Sequence, residues 1–202
     1  MGSVNYGLRL EFPAGWIELP PPGSDMAAWA RETVAPLHAA TSPDHPFDPD
    51  ALADNLAQVA ADSASRAPIL GAALWPGPGE PVAVLAEIVQ LAPDPGVPFT
   101  VEQLARQLAV PHKSHTKPAE VTVVTDLEPG PAVRVRRAFR GERDKLLRRT
   151  VTEQVDYFIL PTALADEGLL FTASWVDLAL GDVHAKEADE LVRRLGVEVA
   201  PG

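Results

Sequence analysis

The 202-residue sequence contains no cysteine. This absence excludes a disulfide framework, a thiolate metal site and a cysteine nucleophile, and it fits a reducing compartment. The sequence also lacks a charge-free apolar run of the ~18 residues that a membrane-spanning helix needs, so no membrane insertion is expected. The opening residues show neither the basic nor the apolar region of a signal peptide. We therefore expect a cytoplasmic protein.

Recognisable catalytic and nucleotide-binding motifs are missing as well. There is no G-x-S-x-G nucleophile elbow, no Walker loop, no G-x-G-x-x-G and no H-E-x-x-H. Gly77 and Gly79 lie among prolines in a predicted hairpin loop, where no strand–turn–helix context would cradle a phosphate. We therefore expect neither a cofactor nor enzymatic activity.

Two histidines, His112 and His115, are spaced as metal ligands on one helical face would be. Pro111 and Pro118 flank them, which favours a solvated loop instead of a helix. A third ligand would also have to come from a distant part of the chain. The prediction is that the protein has no metal site.

The length and composition fit a single domain over residues 1–202. A chain of this size buries about 70% of its unfolded surface, which supports one core without covalent staples. Period-two alternation of apolar residues predicts an antiparallel sheet of about seven strands with flanking helices, an α+β fold. The predicted strands cover residues 8–12, 69–75, 81–91, 121–127, 133–139, 150–159 and 169–177. The loop at 76–80 predicts a hairpin, and the last four strands predict a meander.

Two predicted helices precede the hairpin. Ser24 or Asp25 caps the first, and Pro36 should end or kink it because proline lacks the amide donor. Asp48 followed by Pro49 is typical of an N-cap and a first helical position, and the second helix should run to about residue 66.

Two further helices are predicted after the hairpin. Thr100 and Gln103 form a capping box at the start of a short helix. Asp182 is predicted to cap the last helix, with Val183 on its inward face, and Gly196 to end it as a C-cap.

Charge is distributed unevenly along the chain. The net charge is −11 at pH 7. Residues 131–150 nevertheless hold eight basic and two acidic residues, which leaves nine basic and 26 acidic residues elsewhere. Such an acidic remainder disfavours general nucleic-acid binding. A local basic strip is left on one hairpin.

In this strip Arg134, Arg136 and Arg140 alternate and should share one strand face, while Arg148 is predicted across the hairpin beside Thr152. Crowded like charges destabilise a sheet, so something should offset them. Acidic residues of the same chain, an acidic protein partner, and a phosphate or nucleic acid are the alternatives. The candidate partner-binding residues are Arg134, Arg136, Arg140, Arg148 and Trp29, the last being either a core residue or a partner contact.

Two short segments carry a family resemblance. The first is Phe12-Pro13-Ala14-Gly15-Trp16 after the opening strand, and the second is Phe171-Thr172-Ala173-Ser174-Trp175 before the last helix. With the element order, they resemble the Mog1/PsbP-like fold group, which includes bacterial lipoprotein and effector-chaperone relatives. The resemblance implies an α/β/α sandwich and a protein-binding role as adaptor, assembly factor or chaperone. It carries over no functional residue, and no lipobox cysteine is present.

The leading hypothesis is a non-enzymatic, cytoplasmic protein-binding module, adaptor or chaperone-like, for example for a secreted effector. One alternative is a small-ligand binder or enzyme with a pocket between sheet and helices. Another is nucleic-acid or phosphate binding through the 131–150 strip, which would show steep salt dependence. Homodimerisation stays open.

Overall fold

The computed structural model of the chain describes residues 6–93, 99–143, 149–164 and 167–199. The fold is α+β, as predicted: a seven-stranded antiparallel sheet is flanked by four helices, and a small two-stranded sheet lies beside it. The helices are α1 (Met26–Ala40), α2 (Pro49–Ala64), α3 (Val101–Leu108) and α4 (Gly181–Val192). The strands are β1 (Tyr6–Leu10), β2 (Trp16–Glu18), β3 (Leu70–Leu74), β4 (Val84–Leu91), β5 (Glu120–Val124), β6 (Ala132–Arg143), β7 (Arg149–Ile159), β8 (Gly168–Trp175) and β9 (Leu195–Val199).

The large sheet has the strand order β2-β3-β4-β8-β7-β6-β5. The predicted hairpin is β3–β4, and the predicted meander is the run from β5 to β8. Strands β4 and β8 pair in the middle and join these two halves. The two-stranded sheet pairs β1 with β9, the two ends of the described chain.

Helices cover both faces of the large sheet. On one face, Ile88, Phe171 and Tyr157 lie side by side in register and are almost fully buried against α4 and β9. Side chains alternate along a strand, so Ala73 of β3 points to the other face, where it packs on Val34 and Leu56 of α1 and α2. On this second face α2 contacts β3, and α3 contacts β5 and β6 at the other end of the sheet. Strands β7 and β8 lie between these helices.

Pro36 was predicted to end or kink α1, and the helix does not end there. It continues to Ala40, with Pro36 on an exposed position inside it. The turn before the proline is held by the buried residue Val34, and the Thr41 hydroxyl donates to the Leu37 carbonyl at 2.7 Å. Packing and this end contact therefore outweigh the lost amide donor.

The predictions for the last helix were wrong in three details. Asp182 lies in the first turn of α4 and is not its N-cap, because the helix already begins at Gly181. Val183 is exposed, since the buried stripe of α4 runs through neighbouring positions such as Ala185 and Ala188. Gly196 lies inside β9 and not at a helix end. None of the helices in the described ranges is long and apolar enough to cross a membrane.

Candidate binding surface

Arg134 and Arg136 lie on the sheet face under α4, and both bind acidic residues of the same chain. Arg134 donates through Nε and Nη2 to the carboxylate of Asp189 at 2.8 and 3.0 Å. Arg136 donates through Nε to Glu153 at 3.0 Å and through Nη1 to Asp182 at 2.7 Å. The acidic residues of the chain thus offset these two arginines and fasten α4 to the sheet.

Glu153 is the centre of this polar contact, with only 4% of its surface exposed. Besides Arg136, it accepts hydrogen bonds from Lys117 Nζ at 3.3 Å and from Trp175 Nε1 at 3.2 Å. Burial by itself raises the pKa of the Glu153 carboxyl, but the bonds and charges of Arg136 and Lys117 outweigh it, so the pKa falls below its usual range. Glu153 is therefore held as a buried carboxylate.

The remaining predicted partner-binding residues are scattered. Arg140 is exposed on the same strand face as Arg136, and Trp29 packs half-buried against the core between α1 and α2. Arg148 lies outside the described residues. The strand register places Arg136 opposite Val155 and Arg140 opposite Val151. These arginines were expected to lie on the same sheet face as Thr152 of the return strand, and that expectation was wrong.

A second buried carboxylate was missed at the sequence level. Asp156 is fully buried on the opposite sheet face and accepts from Thr172 Oγ1 at 2.8 Å and from Gln154 Nε2. Nη2 of Arg137 lies 2.6 Å from its other oxygen, although the pair is not aligned as a hydrogen bond. The available signal was Arg137 itself, a charged residue interrupting an apolar strand face.

The two histidines of the predicted loop pack against each other and against β6. The Ser114 hydroxyl and amide lie 2.7 and 3.3 Å from His112 Nδ1. The His115 ring packs edge-on against Phe139, and burial, with the charges of Arg137 and His112, lowers its pKa. Among the described residues, no group of three or more side chains could hold a metal ion.

His184, on the inner face of α4, is buried against the Trp175 ring, with centroids 5.8 Å apart. Neither ring nitrogen has a hydrogen-bond partner among the described residues. Burial lowers the pKa of His184, and the charges of Asp177 and Glu187 oppose this only in part. The folded state therefore favours the neutral imidazole.

The free energy of unfolding is expected to decrease as the pH is lowered from about 7.5 to about 5.5. Below the ordinary histidine pKa of about 6.5, His184 binds a proton in the unfolded chain but stays neutral in the folded protein, so protonation favours unfolding. The His184→Phe variant keeps a ring beside Trp175 but cannot titrate, so its stability should fall less over this range. Urea unfolding at both pH values measures the difference. An identical loss in the wild-type and variant proteins would contradict the role given to His184.

An open cleft lies between α2 and the sheet on the second face. It has a volume of about 340 Å³ and is bounded by Asn55 and Gln58 of α2 and by Leu85 and Ser174 of the sheet. The Asn55 side-chain oxygen accepts the Val82 amide at 2.9 Å, which ties the helix to the segment just before β4. We call this space the α2 cleft. It offers an apolar floor with amide and hydroxyl groups at its sides.

A second open cleft adjoins it near the start of α2. This aromatic cleft has a volume of about 470 Å³ and is lined by Phe47, Leu52, Trp75 and Pro81, together with Asn55. The rings of Phe47 and Trp75 are tilted, with centroids 5.3 Å apart. Asn55 therefore borders both clefts.

Beyond the α2 cleft lies a group of exposed apolar side chains. Val176, Leu178, Leu180 and Val183 are each 46% to 62% exposed, and Val176 also lines the cleft. They account for four of the seven large exposed apolar residues in the described part of the chain. We call these four residues the apolar patch. Surface apolar residues scattered singly are ordinary, whereas four of them within eight positions of the chain make this segment the candidate interaction site.

No protein-family model matches the sequence, and no curated protein is recognisably similar to it. Among solved structures, the fold is similar to LpqN of Mycobacterium tuberculosis, a protein involved in cell envelope biogenesis. The two share 12% sequence identity over 98% of this chain and 86% of that chain, with a TM-score of 0.47. The resemblance to the Mog1/PsbP group stays a prediction.

Proposed function

We propose that this protein is a non-enzymatic protein-binding module, adaptor or chaperone-like, that acts in the cytoplasm and binds its partner through the apolar patch. The observation that carries the proposal is the cluster of four exposed apolar side chains within eight residues, Val176 to Val183, beside an open cleft. Burying them against a partner would release about 25 cal/mol for each Å² of apolar surface. The Mog1/PsbP resemblance implies the same kind of role.

The charge around the patch favours a protein over a lipid surface. Residues 176–190 contain five acidic residues and a single lysine. An anionic membrane surface would repel this segment, because such surfaces attract basic residues. Two copies meeting face to face would also bring the acidic residues together, which disfavours self-association through this patch.

The second candidate is binding of a small molecule, and the clefts along α2 favour it. Their volumes of about 340 and 470 Å³ lie within the range of ligand pockets, and each combines apolar walls with a few polar groups. The arginine strip supports a nucleic-acid role less well, since Arg134 and Arg136 already bind carboxylates of the chain.

A photo-crosslinking amino acid in place of Leu180 is expected to give one discrete adduct in the native cells, with a protein that mass spectrometry identifies. The Leu178→Asp substitution should then weaken binding of that purified partner at least about tenfold, because it places a charge in the apolar contact. The same crosslinker at Ala39, an exposed position of α1, is the control.

Two outcomes would contradict the proposal. One is a set of adducts at Leu180 no different from those at Ala39. The other is unchanged affinity of the identified partner for the Leu178→Asp variant. Flotation of the protein with phosphatidylcholine vesicles, lost on the same substitution, would assign the patch to a membrane instead.

A further inference from the structure

We infer that the α2 cleft and the aromatic cleft form one groove, which binds an extended polypeptide segment that carries apolar side chains and at least one lysine or arginine. The inference rests on the proposed function and specifies the chemistry of the partner. It assigns the groove a recognition role separate from that of the apolar patch.

The continuity of the groove follows from the residues that border it. Asn55 lines both clefts, and the consecutive residues Pro81 and Val82 line the aromatic cleft and the α2 cleft respectively. The hydrogen bond from the Val82 amide to Asn55 fixes this junction. Val176 lines the α2 cleft and also belongs to the apolar patch. An open space that extends over both clefts suits a chain better than a compact molecule.

The lining of the groove can bind both the apolar side chains and the backbone of an extended peptide. Phe47 and Trp75 offer aromatic surface in the aromatic cleft, and Leu85 offers aliphatic surface in the α2 cleft, so apolar side chains of a segment can be buried in both. Gln58 and Ser174 of the α2 cleft carry hydrogen-bonding groups that can pair with the backbone of a bound segment. Apolar anchors give affinity, and backbone pairing keeps polar groups satisfied.

The acidic residues that line the groove favour a bound segment that carries positive charge. The charged residues that line the two clefts are Asp48, Asp62 and Glu80, and no lysine or arginine of the described chain lines either one. The net charge of −11 adds an attractive field for cations. Asp62 already binds Arg66 at 2.8 Å, so Glu80, which is exposed, is the better placed carboxylate for a basic side chain.

The test is panning of a displayed random dodecapeptide library on the full-length purified protein. The enriched peptides are expected to combine aromatic or aliphatic residues with lysine or arginine and to be depleted in aspartate and glutamate. A synthetic copy of the enriched peptide should bind at least about tenfold more weakly to the Gln58→Arg variant. This substitution places a bulky cation at an exposed position of α2 on the cleft, so the fold should persist.

Ala35→Arg is the matched control, since it adds the same charge at an exposed position of α1 that lines neither cleft. Its affinity for the peptide should stay within about twofold of wild type. No enrichment, enrichment of acidic peptides, or equal binding to the Gln58→Arg and wild-type proteins would each overturn the inference. A specific crosslink at Leu180 without any peptide enrichment would leave the protein-binding proposal standing and remove only this one.

Discussion

Replacing Glu153 with alanine is expected to lower the free energy of unfolding by about 3 kcal/mol, because removal of one partner from a buried ion pair leaves Arg136 with only the exposed Asp182 as its counter-charge. Arg136, whose side chain is 15% exposed, would lose its shortest contact to the sheet, and the indole N–H of Trp175 would lose its acceptor. Lys117 is 45% exposed and can turn to solvent, which keeps the loss at the lower end of the usual range. Urea denaturation at neutral pH measures the change.

The chain provides a control that shares one of the same partners. Glu120 also faces Lys117, at 3.8 Å, but it is exposed. Exposed ion pairs contribute at most about 1 kcal/mol, so Glu120→Ala should change stability by no more than about 1 kcal/mol. An equal loss of stability in the Glu120→Ala and Glu153→Ala variants would show that Glu153 is not the centre of the polar contact under α4.

The same contacts decide how the arginine strip can act. An acidic partner that bound Arg134 or Arg136 would have to displace Asp189 or Glu153, which already satisfy those guanidinium groups from within the chain. Tyr157 also donates to Asp189 at 2.8 Å, which strengthens the attachment of α4. The apolar patch is exposed among the described residues, so a partner could bind it without displacing a carboxylate of the chain. This difference favours the patch as the docking surface.

Features with local causes were predicted well from the sequence. Asp48 caps α2 by accepting the amides of Asp50 and Ala51, and the helix needs no distant residue to begin there. The β3–β4 hairpin likewise follows from two apolar runs around a loop of prolines and glycines, and the β5–β8 meander follows from alternation between turns. The Thr100 oxygen accepts the Gln103 amide at 3.3 Å, which is half of the predicted capping box.

Features that depend on distant residues could not be predicted in this way. Strand β9 follows a helix and contains Gly196, so its sequence resembles a helix end, and only its pairing with β1 makes it a strand. The exposure of Val183 depends on which stripe of α4 meets the sheet. The groove exists because α2 and the residues just before β4 come together around Asn55, a contact that neither segment reveals alone.

Replacing Gly130 with alanine is expected to destabilise the protein by about 4 kcal/mol, the combined effect of backbone strain and weakened hydrogen bonds. Gly130 has φ +150° in the turn between β5 and β6. A Cβ at this position would meet the carbonyl oxygen of Leu160 far inside contact distance and lie 3.0 Å from the amide of Thr162. The turn would have to move away from this segment, although Thr162 donates to the Pro129 carbonyl at 2.9 Å.

Gly77→Ala separates the two causes. Gly77 has φ +135°, so alanine is strained there too, but its Cβ would meet nothing within 4 Å. This variant should therefore lose only the strain contribution, about 1–2 kcal/mol. The additional loss of stability in Gly130→Ala measures the close approach of the 129–131 turn to the end of β7. The turn also contacts this segment through the Leu160 amide, which donates to the Pro131 carbonyl at 2.9 Å. If both variants unfold at the same urea concentration, the close packing of that turn contributes nothing, and backbone conformation alone explains the glycine.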